Sequence, residues 1–221
     1  MFWQTMFLTL KLAFLTTCFL LPIGIFLAYY LHRSSSVWKI FVEVLIWLPL
    51  ILPPTVLGFY LLLCFSPQSS FGEFLLQNFG IKLVFSFEGV LFASLIFGLP
   101  FMVNPIKSGL QSLSPQLQEA SFVLGKGEIS TLFAVLLPNI KPSLLLACVG
   151  TFVHAIGEFG VVMMIGGNVA GETRVASIAI YDEVEASNYA LAHQYAFSLF
   201  VVCAGLLFVI LWINKRYLGE K

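Results

Sequence analysis

Five stretches of this chain are apolar enough and long enough to cross a lipid bilayer as helices, and that property decides most of what it can fold into. A hydrocarbon slab of ~30 Å is crossed by about 20 helical residues, each advancing roughly 1.5 Å. The qualifying stretches lie at about 8–31, 40–64, 86–104, 142–165 and 195–213. With 59% hydrophobic and 10% charged residues, the chain carries more apolar surface than one soluble core can enclose. The expected fold is an all-α integral membrane protein of about five transmembrane helices, one domain over 1–221. The opening MFWQTMFLTLK has no basic segment before its apolar run and no small-x-small cleavage site after it, so it reads as a retained first span.

Charge narrows the partners. Formal net charge is zero, which leaves no excess of Lys and Arg to neutralise a phosphate backbone and argues against nucleic acid. Cys18, Cys64, Cys148 and Cys203 all fall in apolar stretches with no metal-ligand spacing, so they read as buried free thiols and no metal site is expected.

Cation placement sets the orientation. If the 32–39 loop, the long 105–141 loop and the tail are cytoplasmic, that side collects Arg33, Lys39, Lys107, Lys126, Lys141, Lys215, Arg216 and Lys221, against Lys82 and Arg174 outside. The N-terminus is then external and the C-terminus cytoplasmic. Tyr29, Tyr30, Trp38, Trp212 and Tyr217 flank the inner interface as an aromatic belt, and Lys11 snorkels at the outer end of the first span.

Pro49, Pro53 and Pro54 interrupt the second span, because each removes a backbone donor and presses on the preceding turn. A kinked or broken helix is predicted, with residues 49–55 facing the bundle interior. Pro53 and Pro54 are either a packing kink or part of a translocation path.

The 105–141 loop holds a helix of its own. In SPQLQEASFVLG, Ser114 can N-cap, Pro115 suits the first helical position and Gly125 can close the helix. Leu117, Ala120, Ser121 and Leu124 recur at helical spacing and predict one apolar face. The polar face has one acid, Glu119, and no Lys or Arg, which does not suit docking on anionic lipid.

The same residues read EAS-x3-G-x9-V-L-L-P, from Glu119, Ala120 and Ser121 through Gly125 to Val135, Leu137 and Pro138. This closely resembles the EAA signature of ABC importer permeases, E-A-A-x3-G-x9-I-x-L-P. Ser replaces the second Ala and Val replaces Ile; the spacing is intact. The resemblance implies a type I ABC importer permease fold, with a coupling helix at about 115–124 seated in a groove of an ATP-hydrolysing subunit. Gly125-Lys126-Gly127 lacks both the upstream glycine and the Ser or Thr of a Walker A loop, so ATP and Mg are expected on the partner, with no cofactor and no enzymatic site in this chain.

In the fourth span Thr151, His154 and Glu158 stand at i, i+3 and i+7 and make one helix face polar. An ionisable residue at that depth calls for a cavity or a partner, so either satisfied packing or a proton relay is possible. Gly157 and Gly160 flank Glu158 and suit close helix approach.

Gly157-Glu158-Phe159-Gly160, Gly166-Gly167-Asn168 and Gly171-Glu172-Thr173-Arg174 together resemble the oxyanion permeases of the molybdate and sulfate group, and GEFG with GETR is most similar to the molybdate permeases. LPLILPPTVLGFYLLL and SFEGVLFASLIFGLPFMV extend that resemblance over nearly the whole chain. It implies a multi-pass subunit of the bacterial inner membrane, a homodimer served by two ATPase subunits and an external molybdate-binding protein, with the 157–160 region beside the gate. Sulfate and tungstate remain alternative cargoes. A secondary transporter would instead show inverted repeats and a buried charged pair near the midplane, and the EAA spacing argues against it. Arg174 either steers the anion or pairs with Glu172, Asp182 or Glu183.

Overall fold

A computed structural model of the chain describes residues 1–213 and 215. Arg216, Tyr217 and Lys221, counted above toward the inner face, lie outside the described residues. The elements in order are α1 (Phe2–Arg33), α2 (Val37–Ile51), α3 (Pro54–Phe65), α4 (Ser70–Phe79), α5 (Phe87–Ser112), α6 (Pro115–Val123), α7 (Glu128–Thr131), a π-helical turn (Leu132–Leu136), α8 (Leu137–Asn139), α9 (Lys141–Gly157), α10 (Gly160–Gly166), α11 (Ala176–Glu185) and α12 (Tyr189–Ile213). Among the described residues there is no strand.

α1, α5 and α12 are each long and apolar enough to cross a membrane alone, and two bent helix pairs raise the number to as many as five. One pair is the proline-rich second stretch, where α2 and α3 meet at 110°. Pro53 is the N-cap of α3 and Pro54 its first residue, so the missing donors fall where a helix start has no need of them. The expectation that 49–55 face the interior is corrected: Pro49 is buried, whereas Leu50, Ile51 and Pro53 through Thr55 are exposed on this chain. The sharp bend lays α3 on α10, with Phe65 at its far end against Phe92 of α5, and leaves the break at the surface of this chain.

Two further boundaries move. α5 runs to Ser112 despite Pro100 and Pro105, so the loop expected from 105 begins at Leu113 and Lys107 belongs to a helix. The fourth stretch, expected as one span over 142–165, is interrupted at Glu158 and Phe159 between α9 and α10. Before it, the chain turns 83° between the α7–α8 stretch and α9. Pro138 has no N–H to give and its ring crowds the carbonyl four residues back, and the wider π-helical turn at 132–136 accommodates both.

The core has two halves. Toward one end, Leu20, Ala28 and Leu31 of α1 pack with Met102, Ile106 and Leu110 of α5 and with Leu132, Leu136 and Ile140 of the bent corner. Toward the other, Leu8 and Leu12 meet Val90, Ala93 and Phe97, Val161 and Ile165, and Ile178. α12 is peripheral, with Phe197, Phe200 and Phe208 all more than half exposed, as suits a face turned to lipid or to other membrane helices.

Contacts sort the loops into two ends. Arg33 pairs with Glu128 at 2.6 Å, which brings the 34–36 link beside the 113–140 segment. At the opposite end Phe85 N–H donates to the Ile165 carbonyl at 2.9 Å. There, too, Ala176 N–H donates to Thr9 Oγ1 at 2.8 Å. Lys11 sits at this end with its ammonium 4.4 Å from the Phe87 ring centroid. The grouping matches the one used above to count cations.

Candidate functional site

Two regions hold the residues singled out from the sequence. The first is α6 and the turn after it. Pro115 opens α6 as its first residue, while Ser114 stands at the N-cap without a side-chain cap bond. At the other end Gly125 N–H donates to the Phe122 carbonyl at 2.9 Å and Lys126 N–H to the Ser121 carbonyl at 3.1 Å, with Gly125 at φ +78°. This is a complete Schellman closure, and the left-handed residue at its pivot is the glycine.

The face of α6 differs from the single apolar stripe expected. Leu117 packs against the core half that holds Leu20, Met102 and Leu132, and Ser121 is buried, but Ala120 and Leu124 point outward with Glu119. Ser121 Oγ lies 2.9 Å from Thr131 Oγ1, and that buried pair fastens this face of the helix to α7. Val123 and Leu124 are left 87% and 79% exposed, and Ile129 across the turn 69%, forming an apolar knob at the end of the molecule. Downstream, Leu137 is buried in the core, Pro138 is exposed, and the half-buried Val135 accepts a bond from Asn139 Nδ2 through its carbonyl at 2.7 Å.

The second region is a recess of about 530 Å³ at the break between α9 and α10. Pro54, His154, Gly157, Glu158, Phe159 and Gly160 all line it, together with Phe97 and Val153. Pro53 and Thr151 do not. Thr151 is fully buried nearby, and its hydroxyl, like that of Thr16, has no hydrogen-bond partner among the described residues.

Glu158 anchors three elements. Ser94 Oγ of α5 donates to Glu158 Oε2 at 2.9 Å, and Ser177 Oγ of α11 donates to the Glu158 carbonyl at 2.7 Å, the carbonyl freed where α9 stops. Glu158 Oε1 and His154 Nε2 are buried without a partner among the described residues. The His154 ring is stacked on Phe101, centroids 3.8 Å apart, with Phe97 at 5.1 Å. Ser94 and the two phenylalanines have nothing local to distinguish them in an apolar span, and Ser177 lies in a separate segment 19 residues beyond Glu158, so none is legible in the sequence.

Glycine sets how closely these helices approach. A β-carbon on Gly160 would stand 2.8 Å from Pro54 Cβ, and one on Gly58 2.7 Å from Met164 Cβ, so α3 and α10 touch almost backbone to backbone. Gly157 faces open space, which corrects the expectation that both glycines of GEFG serve close packing.

At the same end, Arg174 pairs with Asp182 at 3.3 Å and Glu183 at 3.2 Å, and Asn168 also bonds Asp182. Glu172 is not among its partners. The guanidinium is largely shielded by these carboxylates rather than standing free. On the same helix Tyr181 donates to Glu185 at 2.6 Å, a bond that raises its hydroxyl above the ordinary phenol range. Toward the other end, Lys107 and Glu43 pair across α5 and α2, a contact whose partners are too far apart in sequence to be inferred.

Among the described residues no cluster of His, Cys, Asp and Glu could hold a metal ion.

The family described as "Binding-protein-dependent transport system inner membrane component" matches residues 21–219. A molybdenum transport system permease protein of Azotobacter vinelandii is 40% identical over 95% of this chain and 92% of its own length. One from Escherichia coli K12 is 34% identical over 83% and 80%. A sulfate transport system permease protein of Salmonella typhimurium is 31% identical over 95% and 75%. Among solved structures, a bacterial ABC transporter involved in importing the acidic polysaccharide alginate superposes with a TM-score of 0.81 at 20% identity, covering 99% of this chain and 80% of that one. That likeness is one of fold.

Proposed function

The chain belongs to the family of binding-protein-dependent transport system inner membrane components, and from that premise we propose that it is the multi-pass membrane subunit of an ATP-driven importer that moves molybdate inward. The observation that carries the reading is the α6 knob. A helix pinned to the core by Leu117 and the Ser121–Thr131 pair, closed at Gly125, presents Val123 and Leu124 almost fully exposed. Apolar side chains held out on a rigid mount are what a protein groove takes up, and the mount passes any push into the α5–α9 corner.

On this reading the 113–140 end is cytoplasmic and the 166–188 end external, the orientation that puts most cations inside. ATP and Mg are held by a separate ATPase subunit, because the chain offers no Walker A loop. Two copies of the chain pair in the inner membrane, each offering one α6 to one of two ATPase subunits. A binding protein delivers the anion externally, and the recess at Glu158 lies beside the gate. Glu119, Ala120, Ser121, Leu124 and Gly125 form the coupling element, supported by Val135, Leu137 and Pro138. Arg174, shielded by two carboxylates, serves the structure of the external segment rather than anion capture.

Molybdate is favoured over sulfate because identity is 40% to a molybdenum permease and 31% to a sulfate permease. The recess offers no Lys or Arg among its lining residues, consistent with selection upstream and weak, transient contacts in the membrane.

Reconstituted with its ATPase subunit and the external binding protein, the permease should take up molybdate, and Gly125→Pro or Glu119→Lys should abolish ATP-driven uptake while the protein still inserts. Unchanged uptake by both variants would remove the coupling role. A preference for sulfate in the same vesicles would reassign the cargo without altering the mechanism.

A further inference from the structure

α1 reaches from one end of the molecule to the other without a break, as α5 does. Its 32 residues span about 48 Å at roughly 1.5 Å per residue. Its inner end is fastened to the coupling loop. Arg33 pairs with Glu128 at 2.6 Å, its guanidinium lies 5.9 Å from the Phe122 ring of α6, and Phe26 meets Phe133 edge-on at 6.3 Å.

Its outer end is fastened to the external segment. Thr9 Oγ1 accepts from Ala176 N–H, the first residue of α11, at 2.8 Å. A β-carbon on Gly171 would stand 2.7 Å from Gln4 Nε2, and beside it the Phe2 ring lies 4.8 Å from Tyr195 of α12. α11 in turn holds the α9–α10 break through the Ser177 bond to the Glu158 carbonyl. The family match begins at residue 21, so these outer contacts of α1 lie outside the matched region.

We propose that α1 is a transmission strut: through Arg33–Glu128 at one end and Thr9–Ala176 at the other, it couples the state of the coupling loop to the external segment that holds the recess. The inference rests on the coupling-loop reading above. The Arg33–Glu128 pair is about half exposed, so it adds little to stability, and its value lies in fixing the strut to the loop. Thr9 gives α11 the only acceptor described for its first N–H.

The test is stimulation of ATP hydrolysis by molybdate-loaded binding protein in vesicles carrying permease and ATPase subunit. Arg33→Glu and Glu128→Arg should each lower the stimulated-to-basal ratio about fivefold, and the double charge swap should restore it. Thr9→Val should lower it similarly from the far end, while Thr9→Ser, which keeps the acceptor, should not. Copurification of the ATPase subunit with every variant separates lost transmission from lost assembly. Wild-type ratios in Arg33→Glu and Thr9→Val, or a swap that fails to rescue, would overturn the strut. Gly125→Pro in parallel keeps the two readings apart. If it abolishes uptake while the α1 variants behave as wild type, only the strut fails; if it too is silent, the coupling loop itself is wrong.

Discussion

A buried bond that ties α6 to α7 is made by one of the two residues that depart from the signature. Ser121 stands where the signature has alanine, and its hydroxyl meets Thr131 in a buried pair. Ser121→Ala should strand the Thr131 hydroxyl and cost about 1–2 kcal/mol. Thr131→Val should cost a similar amount, and the double variant clearly less than the sum. A denaturation cycle on the purified protein measures this, and strict additivity would mean the hydroxyls do not interact. Ser94 sets a second case, as the donor described for a buried Glu158 side chain whose other oxygen has no partner among the described residues. Ser94→Ala should destabilise by about 1–3 kcal/mol, whereas Glu158→Gln, still able to accept from Ser94, should cost less in the same thermal scan. The polar residues of the fourth span were legible because charge in an apolar helix stands out against its neighbours. Their partners were not, because Ser94 and Ser177 carry no such contrast and meet Glu158 only after three helices converge.

Among the elements, those with strong punctuation were the most legible. Pro115 and Gly125 bracket α6, and the structure starts that helix at the proline and closes it on the glycine at φ +78°. Periodicity misjudged its face, since Leu117 and Ser121 turn inward while Ala120 and Leu124 do not; a nine-residue helix is oriented by one tertiary hydrogen bond more than by its moment. The three prolines of the second stretch predicted a break but not its direction. That direction is set by the glycine contacts through which α3 lies on α10. Gly58→Leu should therefore force the helices apart, costing about 1–3 kcal/mol and lowering the melting temperature. Gly157→Ala, with open space at its β-carbon, should be neutral or slightly stabilising. If both were equally tolerated, the close α3–α10 approach would be wrong.

For the whole molecule, sidedness decides whether the apolar knob of α6 can meet an ATPase at all. Contacts within the fold join the 34–36 and 113–140 segments at one end and the 80–86 and 166–176 segments at the other. The proposed orientation rests on the cations: Arg33, Lys39, Lys126 and Lys141 belong to or border the loops grouped with α6, and Lys82 and Arg174 belong to those at the other end. The exposed positions Ser35, Gln77, Lys126 and Asn188 allow a direct test by single cysteine substitution, with Cys18, Cys64, Cys148 and Cys203 first replaced. An impermeant thiol reagent should label positions 77 and 188 from outside sealed cells, and positions 35 and 126 only after permeabilisation. The reverse pattern would put α6 outside, where no ATP-hydrolysing partner can reach it, and would undo the coupling mechanism while leaving the fold and its family unchanged.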